Sequence, residues 1–278
     1  MAMEPDYLSD LLVNVNLKAR VFRSGELCQN ANFDGADGCG HLHVLRRGQL
    51  RVINRGSATL NLREPHLIFY AKPVRHSLMI DKSAPPDVVC ASVEFSGGRA
   101  NPVVATLPPV IAVPLRRFSG LSSTLEYFFE EGFHPSGGTK LILNRLAEIL
   151  VIQLLRVAID DGDVKGGVLT GLMDPRLSRA MAAIHDSPER PWGLSSLAAL
   201  CNLSRSRFAA LFKQRVGMTV GTYMTGWRMY AAQEKLRIGK PVKLIAQDVG
   251  YGSQPAFTRA FVSKFGMSPR EWVRHHGT

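Results

Sequence analysis

The chain has 278 residues, of which 45 % are hydrophobic, and it carries a formal net charge of +11 at pH 7. This apolar content supports a sizeable core and excludes a disordered chain. None of the 4 cysteines belongs to a CxxC pair, which excludes a zinc ribbon and a thioredoxin motif. No apolar run approaches the ~20 residues of a membrane span, and the N-terminal MAMEPDYLSD lacks the features of a signal peptide. We therefore expect a cytoplasmic protein that has no membrane among its partners.

The N-terminal part of the sequence, from residue 20 to 113, has the pattern of short strands separated by turns. The apolar or alternating runs are 41–45, 50–53, 58–62, 67–70 and 88–95, and clusters of glycine, asparagine, proline and aspartate separate them. Regular spacing of this kind is typical of an antiparallel barrel or sandwich. We therefore predict a β-barrel domain over residues 1–120.

The hydrophobic period then changes from that of strands to that of helices. Residues 122–131 and 139–160 are predicted helices, and the second is apolar on more than one face. Such a helix usually packs on two sides. One side can cover the β region, while the other either meets a second copy of the chain or is buried within one chain. We predict a helical dimerisation region over 121–161, followed by a linker over 162–173.

The net positive charge of the chain comes entirely from its last third. Residues 176–278 contain 16 Lys and Arg against 5 Asp and Glu, whereas residues 1–175 contain 18 of each sign. A neutral region joined to a basic one indicates two separate tasks, and the basic part is a candidate for binding a polyanion. Its pattern is helical throughout, from an expected N-cap at Asp174 followed by Pro175. The predicted helices are 176–186, 194–201, 204–216, 220–237, 242–249, 253–265 and 269–275.

The C-terminal third repeats itself at an offset of 49 residues. The two copies are LSRSRFAALFKQRVGMT and GSQPAFTRAFVSKFGMS, in which Ser204 and Phe208 correspond to Ser253 and Phe257. Each copy predicts a short apolar helix, a tight turn, a serine N-cap and a second helix with phenylalanines four residues apart. That arrangement is a helix-turn-helix, whose second helix offers its outward residues to the DNA major groove.

The outward positions of the two second helices are the candidate DNA-binding residues. In the first copy they are Arg205, Ser206, Arg207, Ala209 and Ala210, and in the second they are Ser253, Gln254, Pro255, Thr258 and Arg259. Arginine can bind guanine and glutamine can bind adenine through two hydrogen bonds, whereas alanine offers only an apolar contact, for example to a thymine methyl group. The second copy is therefore expected to form more hydrogen bonds to bases than the first.

These two copies carry a family resemblance. LSSLAALCNLSRSRFAALFKQRVGMT and VKLIAQDVGYGSQPAFTRAFVSKFGMSPREW resemble the AraC/XylS-type bacterial transcription regulators, and the resemblance covers residues 174–272. It implies an all-α domain over 174–278 with two helix-turn-helix units. It also implies a homodimer, double-stranded DNA and RNA polymerase as partners, and action as an activator in the bacterial cytoplasm at the nucleoid. By that resemblance Ser206, Ala209, Gln254, Thr258 and Arg259 face the bases, although the family often has larger polar residues where this chain has alanine.

The β region resembles the cupin-type sensor domains of one branch of that family, through GCGHLHVLRRGQLRV and EPHLIFYAKPVRHSL. The fold class expected is therefore α+β, a cupin-like barrel followed by helices and by the all-α domain. Cupins bind a divalent metal with a HxH pair and a third histidine, which would be His41, His43 and His76 here. Alternate residues of a strand share a face, so Cys39 would point the same way as the HxH pair. Enzymatic cupins add a glutamate where this chain has Arg47 and Gly48.

Three interpretations of this cluster remain open. The histidines could be hydrogen-bonded inside the barrel, they could hold a divalent metal, or they could contact a small-molecule or oxidant effector together with Cys39 and Cys90. Cys90, in the apolar run VVCASVEF, is expected to be buried. The predicted function is a sequence-specific transcription regulator rather than an enzyme. The alternative is a cupin metalloenzyme with an accessory DNA-binding module, and the missing glutamate argues against it.

Overall fold

The computed structural model describes residues 6–56, 58–98, 101–118 and 120–276. It divides into two compact units. The β unit comprises the described parts of Asn16–Gly98 and Leu107–Val164, and the helical unit those of Met1–Val15, Arg99–Thr106 and Lys165–Thr278. The predicted division at residue 120 differs from this one, because two short segments of the N-terminal part pack with the helical unit. Within the described residues, no helix has both the length and the apolar character needed to cross a membrane.

The β unit contains nine strands in its described residues. They are β1 Lys18–Glu26, β2 Ala31–Phe33, β3 Gly40–Arg47, β4 Leu50–Asn54, β5 Leu60–Leu62, β6 His66–Tyr70, β7 His76–Met79, β8 Asp87–Glu94 and β9 Ile111–Pro114. All five predicted runs form strands, whereas β1, β2, β7 and β9 lie outside those runs. Of these, β2 and β7 are short, and each contributes only three or four residues to its sheet.

The strands form two antiparallel sheets rather than the closed barrel that we predicted. One sheet has the order β1-β8-β3-β6-β9 and the other β2-β7-β4-β5. No strand pairing among the described residues joins the two sheets into a ring. The core lies between them, since Leu45 and Cys90 of the first sheet share a buried cluster with Val52 and Leu78 of the second. Packing of apolar side chains, and not hydrogen bonding around a ring, therefore holds the sheets together.

Two helices follow the sheets, α3 (Ser122–Phe133) and α4 (Thr139–Asp160), as the sequence predicts. The α4 helix lies against the edge strand β1 and binds its free backbone amides. The Val21 amide donates to Asn144 Oδ1 at 2.8 Å, and the Ala19 amide donates to Glu148 Oε1 at 3.3 Å. Side chains of α4 thus cover an edge that would otherwise be open to another strand.

The helical unit contains ten helices in its described residues. They are α1 Tyr7–Asn14, α2 Pro102–Thr106, α5 Val168–Leu172, α6 Ser178–Asp186, α7 Leu194–Leu200, α8 Arg205–Val216, α9 Val220–Arg237, α10 Val242–Asp248, α11 Gln254–Phe265 and α12 Pro269–His276. The predicted linker over 162–173 contains α5, which is largely buried. All seven predicted helices from residue 176 onward are present.

The helix expected to begin after an Asp174 cap instead begins at Ser178. The Asp174 carboxylate is 7 % exposed and accepts hydrogen bonds from the backbone and the guanidinium of Arg176. It also forms an ion pair with Arg215 at 3.1 Å. The prediction of an N-cap was therefore wrong, because this carboxylate binds two arginines, one of them in the last turn of α8.

The start of α5 connects α2 to the end of α8. Thr106 Oγ1 accepts a hydrogen bond from the Val168 amide at 3.1 Å, and the Gly167 amide donates to the Arg215 carbonyl at 3.0 Å. A side chain on Gly167, whose φ is +111°, would lie 2.7 Å from the Thr106 hydroxyl. Glycine is therefore required at this junction for both its backbone conformation and its size.

Candidate nucleic-acid interface and histidine cluster

The two copies of the sequence repeat fold into two helix pairs, α7–α8 and α10–α11. In the first pair Ser204 Oγ accepts a hydrogen bond from the Arg207 amide, and in the second Ser253 Oγ accepts one from the Ala256 amide, both at 3.3 Å. Each serine thus binds a backbone donor that the first turn of its helix leaves free. The helices end alike, at glycines 217 and 266 with φ of +81° and +72°.

The turns inside the two pairs differ by one residue. The helices α7 and α10 begin 48 residues apart, whereas α8 and α11 begin 49 apart. Asn202, with φ of +53°, and Gly250, with φ of +78°, take the same place in their turns. The extra residue of the second copy follows that position. A comparison of the sequence with itself at an offset of 49 therefore aligns α8 with α11, but it displaces α7 from α10 by one residue.

The inner faces of the two pairs are nearly identical. Phe208 and Phe212 of α8 are fully buried, as are Phe257 and Phe261 of α11. The ring centroids lie 5.9 Å apart in the first pair and 5.6 Å apart in the second. Spacing of four residues places both rings on one side of each helix, as predicted.

The outer faces carry the candidate DNA-binding residues. The exposed ones are Arg205, Ser206, Arg207, Ala210, Ser253, Gln254, Pro255 and Arg259. Ala209 and Thr258, which correspond at offset 49, are both partly buried. The helices therefore present these side chains to the exterior of the unit, while the phenylalanines fix the opposite side.

An apolar groove of about 550 Å³ runs along the outer face of α8. Its lining includes Trp192, Leu194, Ala209, Ala210, Val220 and Met224. The exposed ammonium of Lys213 lies at the same groove. No feature of the sequence predicts this groove, because its walls come from α7, α8 and the start of α9.

The β unit brings the three predicted histidines together. His41 and His43 lie on β3, and His76 lies on β7 in the other sheet. All three are at most 2 % exposed. Their rings are mutually close, with centroids 5.9 Å apart for His41 and His43 and 5.1 Å apart for His43 and His76. The alternation of β3 and the packing of the two sheets together produce this cluster.

Hydrogen bonds define the protonation of each ring. His76 Nδ1 lies 2.7 Å from the Val74 carbonyl, which can only accept, so Nδ1 carries the proton and Nε2 is bare. His43 Nε2, at 2.9 Å from His76 Nε2, must then be the donor. His41 Nε2 lies 2.9 Å from Asp37 Oδ2 and donates to it. As a result the Nδ1 atoms of His41 and His43 are both buried acceptors without a protein partner.

Burial keeps this cluster neutral. It lowers the pKa of His76 to about 4 and lowers that of His43 well below its usual value, where the neighbouring histidines add to the effect. Burial also lowers the pKa of His41, although the Asp37 carboxylate opposes it. At neutral pH all three rings are therefore uncharged, and they can exchange hydrogen bonds with one another or with a neutral ligand.

The three histidines do not fit the predicted metal site. The described residues contain no group of three or more His, Cys, Asp or Glu side chains that could hold a metal ion. The Nε2 atoms already have other partners, since those of His43 and His76 share a hydrogen bond and that of His41 is hydrogen-bonded to Asp37. Arg47, expected near the position of the missing glutamate ligand, instead forms an ion pair with the buried Asp87.

The two candidate cysteines are poor redox centres as they stand. Burial, together with the neighbouring carboxylates of Glu94 and Asp37, raises the pKa of Cys39 to about 11. Cys90 is buried, as expected, and burial raises its pKa to about 12. Since the thiolate is the reactive species, neither environment favours oxidation.

Aromatic side chains that the sequence did not single out complete the cluster. The ring of Phe33 stacks on the ring of His76 with centroids 4.7 Å apart. The ring of Tyr70 also stacks on that of His76, with centroids 3.9 Å apart. The Tyr70 hydroxyl donates to Asn54 Oδ1 at 2.5 Å. Tyr70 lies in a predicted strand, but Phe33 lies on the short β2, which was not among the predicted strands.

Two family models match the chain. A model described as cupin matches residues 6–160, and one described as helix-turn-helix domain matches residues 197–275. The first contains the histidine cluster, and the second contains the end of α7, all of α8, α9, α10 and α11, and most of α12.

Three relatives illustrate the similarity. A protein of Streptomyces antibioticus described as an AraC-like transcription regulator is 34 % identical over 173 residues, which are 61 % of this chain and 57 % of that protein. An HTH-type transcriptional regulator of Haemophilus influenzae is 28 % identical over 222 residues, 75 % of this chain and 74 % of that one. The RCS-specific HTH-type transcriptional activator RclR of Escherichia coli is 25 % identical over 235 residues, 83 % and 82 % of the two chains. The first match thus spans less than two thirds of that relative.

Proposed function

Because the chain belongs to the AraC-type transcription regulators and joins a cupin domain to a helix-turn-helix domain, we propose that it binds specific DNA sequences through both helix pairs under the control of a small molecule. The observation that carries this proposal is the duplicated pair of capped helices. Each buries two phenylalanines and exposes residues that can contact bases, namely Arg205 and Ser206 on α8 and Gln254 and Arg259 on α11. Two such helices in one chain can enter successive major grooves of a duplex.

The electrostatics support DNA as the ligand. The helical unit contains nearly all of the excess positive charge, since residues 176–278 hold 16 Lys and Arg against 5 Asp and Glu. Several cations flank the base-facing positions, among them Arg207 and Lys213 on α8 and Lys264 on α11. Such groups displace counterions from phosphates and thereby add affinity that does not depend on sequence.

The regulator acts as a homodimer and as an activator that contacts RNA polymerase at the bacterial nucleoid. The pairing surface is the outward face of α4, where Leu141 is 64 % exposed and Ile149 is 42 % exposed. These residues lie two turns apart on one side of the helix. Ile149→Glu should therefore weaken the dimer, so that in a sedimentation measurement it dissociates at a higher protein concentration than the wild type. The relative RclR of Escherichia coli is named as a transcriptional activator, which supports the direction of regulation.

The signal binds at the histidine cluster. Two buried acceptors, Nδ1 of His41 and Nδ1 of His43, have no protein partner, and a buried polar atom normally has one. A neutral ligand that donates hydrogen bonds and stacks beside Phe33 would satisfy them. The raised pKa values of Cys39 and Cys90 favour such a ligand over an oxidant. A ligand that binds more tightly to the DNA-binding conformation than to the other conformation would shift the population toward DNA binding.

The decisive experiment is selection of double-stranded DNA from a random library by the full chain, followed by footprinting. We expect one motif with two conserved elements about 10 base pairs apart, one for each helix pair. Recovery of no enriched sequence, or of sequences that differ only in their affinity at low salt, would refute the proposal. A variant with both Arg205 and Arg259 changed to alanine should lose the motif while it still binds DNA weakly.

The signal is tested separately, by thermal shift of the full chain against a library of small neutral metabolites. A true ligand should stabilise the wild-type protein, lose its effect in His43→Phe and keep it in His66→Phe. His66 is a partly buried histidine of the neighbouring strand β6 whose Nδ1 interacts with the Glu64 carbonyl. A compound that stabilises both variants equally binds elsewhere, and it would contradict the assignment of the site.

A further inference from the structure

The two helix pairs present opposite chemistry at the same position. Ala210 of α8 corresponds to Arg259 of α11 at the repeat offset of 49, and both are exposed. Each stands two residues after the first buried phenylalanine, Phe208 or Phe257, which is about 200° around the helix. These positions are therefore the most outward points of the two helices.

One turn later, α8 has the charged residue and α11 has the apolar one. Lys213 of α8 corresponds to Val262 of α11, and both of these are also exposed. On α8 the outward side is thus apolar near the middle and charged one turn later, and on α11 it is charged first and apolar later. Two helices with the same backbone geometry and this reversed pattern cannot recognise the same base edges.

The surroundings of Ala210 are also apolar. It lies in the groove of about 550 Å³ whose walls include Trp192, Leu194 and Met224. Alanine has neither a donor nor an acceptor on its side chain, and its methyl group reaches no further than Cβ. A base at this position must therefore come close to the helix and offer an apolar group. In the major groove, the only such group on the four bases is the 5-methyl of thymine.

We propose that α8 recognises thymine methyl groups through Ala210, whereas α11 recognises guanine through Arg259, so that the two half-sites of the operator are chemically different. This inference rests on the proposed function, because it names the bases that the two helix pairs distinguish. Lys213 and Arg207 would bind the phosphates that flank the thymines. The operator would consequently be directional, with a T-rich element for α8 and a G-containing element for α11.

The test uses the motif selected by the full chain. Arg259→Ala identifies the half-site of α11 as the one whose conservation is relaxed, and the other belongs to α8. Each thymine of the α8 half-site is then replaced by deoxyuridine, which removes only the methyl group. Affinity is measured by fluorescence anisotropy at one fixed salt concentration. We expect about fourfold weaker binding for the contacted thymine, which is the effect of one buried methyl group.

A protein variant links this loss to Ala210. In Ala210→Gly the deoxyuridine operator and the thymine operator should bind equally, because the methyl partner is gone. Ala199→Gly is the matched control, an exposed alanine of α7, and it should keep the fourfold difference. Ala210→Ser provides a second variant that retains helix propensity better than glycine. It should also reduce the preference for the methyl group.

The outcomes separate this inference from the proposed function. If selection enriches no motif, both fail. If a two-part motif appears but deoxyuridine has no effect at any thymine of the α8 half-site, the function stands and the inference is overturned. An undiminished methyl preference in both Ala210 variants would likewise overturn it, because some other residue would then contact the methyl group.

Discussion

The helix pairs α7–α8 and α10–α11 have similar inner faces and different outer faces. Both bury two phenylalanines and end at a left-handed glycine, but one exposes Ala210 where the other exposes Arg259. The inner residues define the backbone geometry of a helix pair, and the outer residues define what it binds. Duplication of this unit therefore keeps the same shape while it allows the two copies to recognise different chemical groups.

The supports of the two pairs differ as well. The first pair packs near the partly buried His185, whose ring stacks on Trp227 with centroids 3.9 Å apart and which shares a hydrogen bond with the Tyr223 hydroxyl. The second pair packs on an apolar cluster that includes Met229, Ile245 and Trp272. The packing beneath the first pair thus contains a neutral histidine, whereas the cluster beneath the second pair is apolar. Four predictions examine these likenesses and differences.

The largest effect is expected from the shared inner face. Phe208→Ala and Phe257→Ala should each lower the free energy of unfolding by about 3–5 kcal/mol, because each leaves a cavity beside a second buried phenylalanine. Urea denaturation followed by tryptophan fluorescence measures this, since residues 192, 227 and 272 are the 3 tryptophans of the chain. The exposed Val262→Ala is the control. A loss in one pair more than twice that in the other would show that the inner faces are not equivalent.

The second prediction concerns the outer face of α11. Arg259→Ala should weaken specific binding by about 1–3 kcal/mol and relax one position of the selected motif, because a two-hydrogen-bond contact to guanine is lost. Lys264→Ala, an exposed change in the same helix, should weaken binding to all sequences alike. If Arg259→Ala has this uniform effect instead, Arg259 binds phosphate and not a base.

Acid should lower the stability of the helical unit through His185, which lies near the helix pair α7–α8. Burial lowers the pKa of His185 to about 3, whereas an unfolded chain protonates its histidine near pH 6.5. The unfolded state therefore binds more protons below this value, and stability falls as the pH decreases from 6.5 toward 3. Between pH 7 and pH 5 the loss from this group is about 2 kcal/mol. Urea denaturation at the two pH values measures it.

His185→Gln is the control for that titration. The variant should start less stable at pH 7, yet the part of the pH dependence that comes from this histidine should disappear. Tryptophan fluorescence reports the helical unit, so the neutral histidines of the β unit do not enter the same transition unless the two units unfold together. An unchanged pH dependence in His185→Gln would mean that His185 is already accessible to protons in the folded state.

The smallest effect is expected at the serine caps. Ser204→Ala and Ser253→Ala should each cost about 1 kcal/mol of stability, because a backbone donor of the first turn loses its acceptor. Ser206→Ala, on the exposed first turn of α8, should cost less than half of that. Thermal unfolding detects the difference. Equal losses for all three serines would indicate that capping does not contribute at these helix ends.

The sequence predicts the helical unit better than the β unit, for a physical reason. A helix is formed from local contacts, so capping residues, phenylalanines four apart and a terminal glycine all lie within one short stretch. Strands depend on partners far away in the chain, and β2 and β7 are too short to show a period of their own. The same limit explains the failure at Asp174, whose carboxylate binds Arg215, a residue 41 positions away in the sequence.

The sequence by itself determined the family, the repeat, the serine caps and most of the outward residues, because each copy of the repeat encodes them in the order and spacing of its own residues. Only the tertiary structure decided that the sheets form no closed ring, that His43 donates to His76, and that Ala210 lies in an apolar groove. It also showed that Arg47 binds Asp87 and that the first turn is one residue shorter than the second. Each of these depends on where distant segments meet, and side-chain charge or alternation along one strand does not contain that information.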